Sequence, residues 1–93
     1  MVIVVGAVEV PSNRMDDAIA LSVEHVRRSR SEPGCLFHAV FRDVEDANGL
    51  FFFERWADRE ALEAHFKVPE TRAFAQSLAS LSLSTPEIAI YDA

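Results

Sequence analysis

The run Leu50-Phe51-Phe52-Phe53-Glu54-Arg55-Trp56 carries bulky apolar residues at both parities, and Cys35-Leu36-Phe37-His38-Ala39-Val40-Phe41 before it does nearly the same. Successive side chains of a strand leave opposite faces of the sheet, so a strand with one wet face alternates apolar with polar residues. A hairpin made from Cys35 to Val44 and Leu50 to Trp56 is instead apolar on both faces, and a sheet built around it needs cover on both sides. Asp46-Ala47-Asn48-Gly49 between the runs has hairpin-turn composition, its Asn-Gly pair being tolerant of positive φ. The expected registers place Cys35, Phe37, Ala39 and Phe41 on the face of Leu50, Phe52, Glu54 and Trp56. Leu36, His38, Val40, Phe51 and Phe53 then share the other face.

The flanking segments supply the partners for this hairpin. Val2 to Val10 is rich in β-branched residues and ends at Pro11, which cannot donate to a continuing ladder. Ser12 and Asn13 offer helix caps. Met15, Ala18, Ile19, Val23 and Val26 then recur at helical spacing, with Asp16 and Asp17 in the first turn and Arg27, Arg28 and Arg30 near the end, until Pro33-Gly34. Asp58 is placed to cap a short helix carrying Leu62, His65 and Phe66, which Pro69 interrupts. Phe74, Leu78 and Leu81 form the stripe of a further helical piece, and Ile88-Ala89-Ile90-Tyr91 reads as a closing strand. The order β-α-β-β-α-β is that of a ferredoxin-like α+β domain: an antiparallel sheet with its helices on one face. The helices cover one side of the hairpin, and a second copy packed sheet against sheet is the economical cover for the other.

Size supports the same picture. Ninety-three residues make one domain, 1–93, and a core this small is marginal without a metal, disulfides or a partner chain. The single cysteine, Cys35, excludes an internal disulfide, fits a reducing compartment, and reads as a small buried hydrophobe. A net charge of −6 argues against nucleic acid and anionic membrane surfaces as partners. Met1 to Val10 lacks a basic start and falls far short of the roughly 20 residues needed to cross a bilayer, so it reads as a strand of a cytoplasmic protein.

Cofactor signatures are missing from the spacing. Gly6, Gly34 and Gly49 are too dispersed for a nucleotide-binding loop. His25, His38 and His65 fall on three elements with no metal-binding spacing, so no metal is expected. The chemistry-bearing group that remains is Glu54-Arg55-Trp56 at a strand end with His65 on the next helix. From periodicity alone, Trp56 is a core or interface aromatic, His65 a helix-face residue with a satisfied hydrogen bond, and Glu54 and Arg55 an ion pair or dimer contact. Parity sets His38 opposite Trp56.

Glu32-Pro33-Gly34-Cys35-Leu36, Phe53-Glu54-Arg55-Trp56-Ala57-Asp58, Leu62-Glu63-Ala64-His65-Phe66, Pro69 and Arg72-Ala73-Phe74 resemble, in order and spacing, the antibiotic biosynthesis monooxygenase family. The resemblance covers residues 32–74 and leans toward its quinol-oxidising branch. It implies a dimeric α+β barrel with a pocket between sheet and helices in each protomer. It also implies oxidation of a small aromatic quinol, phenol or polyketide-like substrate with dioxygen, without flavin, haem or metal. His65 is then the preferred base and Trp56 the residue that stacks on the substrate or bonds its oxygen. Phe52, Glu54, Phe66, Arg72 and Phe74 are the remaining candidates for substrate binding. Phe52 replaces an Asn present in anthrone-oxidising relatives, which departs from that substrate class. The Asn and haem-ligating His of haem-degrading relatives are also missing, Val4-Val5-Gly6-Ala7 and Arg72-Ala73-Phe74-Ala75-Gln76 standing in their place. Two rival readings are a noncatalytic ligand-binding or stress-related dimer, and an isomerase of a small phosphorylated signal metabolite on the same scaffold.

Overall fold

The computed structural model describes residues Met1–Ala93. Its elements are β1 (Val2–Glu9), a 3-10 turn (Ser12–Arg14), α1 (Met15–Ser29), β2 (Cys35–Arg42), β3 (Gly49–Trp56), α2 (Arg59–Lys67), α3 (Pro69–Leu81) and β4 (Glu87–Asp92). The four strands form one antiparallel sheet in the order β2-β3-β1-β4, the ferredoxin-like arrangement expected of the sequence.

Local chemistry explains most boundaries. Pro11 closes β1, and the chain turns once as a 3-10 helix before α1 begins at Met15; neither Ser12 nor Asn13 caps it through a side chain. Asp58 does cap α2, its carboxylate accepting the Ala61 N–H at 2.8 Å. Pro69 takes the first position of α3, where a missing N–H costs nothing. Gly34 has φ 82°, and a Cβ there would stand 2.5 Å from the Ala61 Cβ, so both backbone conformation and packing require glycine. The β2–β3 connection turns at Asp46–Gly49 as expected, the Gly49 N–H donating to the Asp46 carbonyl at 3.0 Å, although neither Asn48 nor Gly49 adopts positive φ. Carboxylates shape the loop instead, Asp43 accepting from the Glu45 N–H at 2.8 Å and Asp46 from the Asn48 N–H at 3.0 Å.

One irregularity reassigns the faces of β2. Cys35 lies opposite Trp56, but the next paired residue, Phe37, lies opposite Arg55, so Leu36 is an extra residue in a β-bulge. Everything after it changes side. His38 and Val40 pair with Glu54 and Phe52 beneath the helices, whereas Phe37, Ala39 and Phe41 join Phe51, Phe53 and Arg55 on the open face. The expected grouping of Phe37, Ala39 and Phe41 with Trp56, and of His38 away from it, is thereby corrected. The inference of two apolar faces survives the exchange, because Phe37, Phe41 and Phe51 are all exposed on the open side.

On the covered face the apolar core falls into two groups. Val8, Val10, Met15, Ala18, Val26, Leu50, Phe52 and Leu78 form the larger, and Val2, Val4, Trp56 and Leu62 the smaller. Glu54 lies on β3 between Phe52 of the first group and Trp56 of the second. That gap is where the polar side chains gather.

Candidate functional site

Three elements bring their histidines to this gap. The buried stripe of α1 reads Met15, Ala18, Ser22, His25 and Ser29, so His25 faces the sheet one helical repeat after Ala18. The bulge turns His38 of β2 inward, and α2 presents His65 from the same side as Leu62. Ring centroids are 5.3 Å apart for His25 and His38, 5.4 Å for His25 and His65, and 5.6 Å for His38 and His65.

Glu54 is the hub. Its Oε1 accepts the Trp56 indole N–H at 2.9 Å and lies 3.3 Å from His38 Nε2 and 3.9 Å from His65 Nε2. The His38 contact is too oblique for a hydrogen bond, and neither ring nitrogen of His38 has a partner. Burial alone would raise the Glu54 carboxyl, but the neighbouring imidazole of His38 and the Trp56 N–H outweigh it and hold it below the usual range. Glu54 is therefore an anion at neutral pH.

A second polar layer fixes the tautomers. Arg28 donates through Nη1 to Glu32 at 2.9 Å, and through Nη2 to Thr71 Oγ1 and His25 Nδ1, both at 3.0 Å. A guanidinium only donates, so His25 Nδ1 accepts and the neutral ring carries its proton on Nε2. The other Glu32 oxygen lies 2.9 Å from His65 Nδ1, which donates to it and leaves Nε2 of the neutral ring as a free acceptor facing Glu54. Burial, reinforced by His38 and His65, pushes His25 down to about 3. Burial also lowers His65, against the opposing pull of Glu32. Both rings are neutral at physiological pH.

A cavity of about 250 Å³ opens onto this cluster. Its walls come from Val4 and Val8 of β1, Phe52, Phe66, Phe74, Leu78 and Ile88, and His25 and Glu54 are among its lining residues. The His25 ring stacks on Phe74 at 3.9 Å with an interplanar angle of 4°. Of the residues singled out from sequence, Phe52, Glu54, Phe66 and Phe74 line the cavity together. His65 and Trp56 lie behind them, 2 % and 0 % exposed, with centroids 4.6 Å apart. Trp56 spends its N–H on Glu54, and Arg72 is on the exposed face of α3 away from the lining. His25, His38, Arg28 and Glu32 were not expected here. For His25 the position seven residues after Ala18 is a usable signal, whereas His38 depends on a bulge that alternation conceals.

An apolar cavity between sheet and helices, lined at one end by the Glu54 carboxylate and the His25 imidazole, has the lining typical of a small-molecule site on this ferredoxin-like domain. The chain belongs to the antibiotic biosynthesis monooxygenase family, whose model matches residues 1–77. An uncharacterized protein of Synechocystis sp. is 36% identical over 90 residues, which are 97% of this chain and 61% of that relative. The chain thus spans less than two thirds of that relative's length. A crystal structure of an antibiotic biosynthesis monooxygenase superposes with a TM-score of 0.92 at 26% identity, covering 100% of this chain and 98% of the other. SnoaB, a cofactor-independent oxygenase from Streptomyces nogalater solved as a point mutant, has the same fold at a TM-score of 0.87 and 21% identity, covering 99% of this chain and 91% of that one. No helix here is long and apolar enough to cross a membrane.

Proposed function

We propose that the protein is a monooxygenase that oxidises a small aromatic quinol or phenol with dioxygen, taking the hydroxyl proton through Glu54 to His65. The observation that carries this reading is a cavity with apolar walls and one polar end, at His25 and Glu54. A ring held between Phe52, Phe66 and Phe74 directs its hydroxyl to the buried end of the wall, where Glu54 accepts it; the other lining carboxylate, Glu87, is exposed. Glu54 is a good hydrogen-bond acceptor but a weak base. His65, with Nδ1–H committed to Glu32 and Nε2 free 3.9 Å from Glu54, is the stronger base, and a short shift completes the relay.

The energetics are acceptable. A phenol titrates near 10 and an unperturbed imidazole near 6.5, so the transfer is uphill by at least about 3.5 units, or roughly 5 kcal/mol. The Nε2–H of His25 offers a donor to the developing phenolate and lowers that cost. An electron-rich phenolate can pass an electron to dioxygen, and the apolar walls on either side of the ring limit the water that reaches the intermediates. For a hydroquinone the balance is one oxygen atom gained and two hydrogens lost by the ring, the second oxygen leaving with those hydrogens as water. Trp56 serves by holding Glu54.

The open face of the sheet supports a homodimer, because Phe37, Phe41 and Phe51 form a contiguous aromatic surface with Phe53. The isomerase of a phosphorylated metabolite fits poorly: the cavity lining includes Glu54 and Glu87 but no lysine or arginine.

Oxygen uptake with a panel of hydroquinones and naphthols, chelator present, tests the reading. Glu54→Gln and His65→Ala are each expected to lower kcat at least about 100-fold. Absence of uptake with every substrate, despite ring binding, would assign the cavity to a noncatalytic binding module. Wild-type rates in both variants would remove the relay.

A further inference from the structure

A buried imidazole needs partners for one donor and one acceptor, and His38 has neither although it is only 1 % exposed. Its Nε2 is 3.3 Å from a carboxylate oxygen, and two further imidazoles stand around it. An orphaned, fully buried ring at the meeting point of two other histidines and a carboxylate points to a missing ligand.

We infer that His38, His65 and Glu54, joined by His25, bind one first-row divalent transition-metal ion. Metal–ligand bonds of about 2.0–2.1 Å at tetrahedral angles place ligand atoms about 3.3–3.4 Å apart. Glu54 Oε1 is 3.3 Å from His38 Nε2 and 3.9 Å from His65 Nε2, and the three histidines offer nitrogens all within 4.8 Å of one another. Movements of about 1 Å close the set. Imidazole nitrogens with one carboxylate suit zinc, cobalt, nickel, copper and iron, whereas magnesium and calcium prefer oxygen. Glu54 supplies an anionic ligand in a buried place where an unbalanced cation would be costly.

The outer layer suits this role. His65 Nδ1–H donates to Glu32, which Arg28 also holds, so the ring is oriented with Nε2 toward the cluster, as carboxylate-backed metal ligands are. His25 is the last ligand to engage, because Arg28 donates to its Nδ1 and leaves the proton on Nε2. Ligation there requires Arg28 to turn to Glu32 and Thr71 and the ring to exchange tautomer. The site's core is accordingly two imidazoles and a carboxylate. His25 and Glu54 line the cavity, which gives the ion its route of entry and a cavity ligand access to its open positions.

Such an ion departs from the metal-free chemistry that the family resemblance implies. It occupies the lone pairs that proton transfer through Glu54 and His65 would use. Inhibition of turnover by zinc therefore follows, and that one consequence rests on the proposed function.

Tag-free protein stripped with chelator is titrated with Co2+, following visible absorption and metal content per protomer. One Co2+ per protomer is expected, with d–d bands of a four- or five-coordinate site, displaced by Zn2+. His38→Asn and Glu54→Gln should each weaken binding at least tenfold, and His25→Asn less than His38→Asn. Because buried substitutions can unfold the chain, imidazole NMR signals of the wild type supply a second measurement: Zn2+ must shift those of His38 and His65. No stoichiometric binding by the wild type, unshifted ring signals, or undiminished binding by folded His38→Asn would each overturn the inference. Metal content and spectra do not depend on turnover, so cobalt uptake without oxygenase activity sinks only the proposed function, and activity without uptake sinks only the metal site.

Discussion

Stability between pH 7 and pH 5 should report directly on the neutrality of the histidine cluster. His25 titrates near 6.5 when unfolded and near 3 in the folded chain. Between those values the unfolded chain holds a proton that the folded one refuses, so stability is full above about pH 6.5 and falls as the pH drops toward 3. At pH 5.5 an unfolded histidine is about nine-tenths protonated, which gives a slope of about 1.2 kcal/mol per pH unit from His25 alone. From pH 7 to pH 5 its share of the loss comes to about 2 kcal/mol. His65, also lowered by burial, adds to the loss in the same direction, while Glu54, whose carboxyl lies below the usual range, contributes only at lower pH. The assay is urea unfolding at pH 7, 6 and 5, at fixed protomer concentration and with chelator, followed through the fluorescence of Trp56, the single tryptophan. His25→Phe keeps an aromatic ring on Phe74 and removes the titration, so its slope should be shallower by about 1.2 kcal/mol per pH unit, whatever its stability at pH 7. An unchanged slope would mean that His25 takes up its proton in the folded protein over the same pH range as in the unfolded one, and the burial-driven neutrality assigned to the ring would fall with it.

Two further outcomes follow from the fold. Gly34→Ala combines left-handed backbone with a 2.5 Å approach to Ala61 and should cost at least about 2 kcal/mol in urea melts, while Gly34→Ala with Ala61→Gly should recover the steric part; equal losses in both proteins would mean that backbone conformation alone matters. Phe51→Glu, directly opposite Phe41 on the open face, should convert a dimer into a protomer of 10.4 kDa in sedimentation, and a wild type that is already monomeric at micromolar concentration would refute the covered-face argument.

The elements were legible because their determinants are local. Pro11, Pro69 and the Asp58 cap act on their own backbone or that of a near neighbour, and each stands at or beside an element boundary. The composition of Asp46-Ala47-Asn48-Gly49 marks the turn correctly, the Gly49 N–H donating to the Asp46 carbonyl at 3.0 Å, but not its backbone conformation. Asn48-Gly49 is a common positive-φ pair, but Asp43 and Asp46 accept backbone N–H groups and shape a longer loop in which neither residue needs that conformation. Cys35, by composition a small buried residue, is half-buried opposite Trp56 and packs against the smaller core group. Phe52, Phe66 and Phe74 came from a resemblance and line one cavity. Arg72 came from the same source and lies in solvent, since a basic residue on a helix gives no signal of which way the helix turns.

The site itself was half hidden, and the cause is a single residue. Alternation along Cys35–Phe41 gives an answer for every side chain, and one extra residue at Leu36 reverses it for all that follow. With strict alternation, His38 would point to the open face, leaving Glu54 with Trp56 and His65 alone and the covered face with a phenylalanine where an imidazole stands. The bulge therefore accomplishes two things at once. It brings a third histidine and an anionic hub together under the helices, and it sends Phe37 and Phe41 out to join Phe51 and Phe53 on the surface that a second copy would cover. Removing Leu36 takes out only the extra residue, so Cys35, Phe37 and His38 would alternate without interruption opposite Trp56, Arg55 and Glu54 as they already do, and both the histidine cluster and the dimer should survive the deletion. A deletion variant in which His38 left the cluster, or in which the dimer fell apart, would show that pairing with β3 does not set the facing of β2.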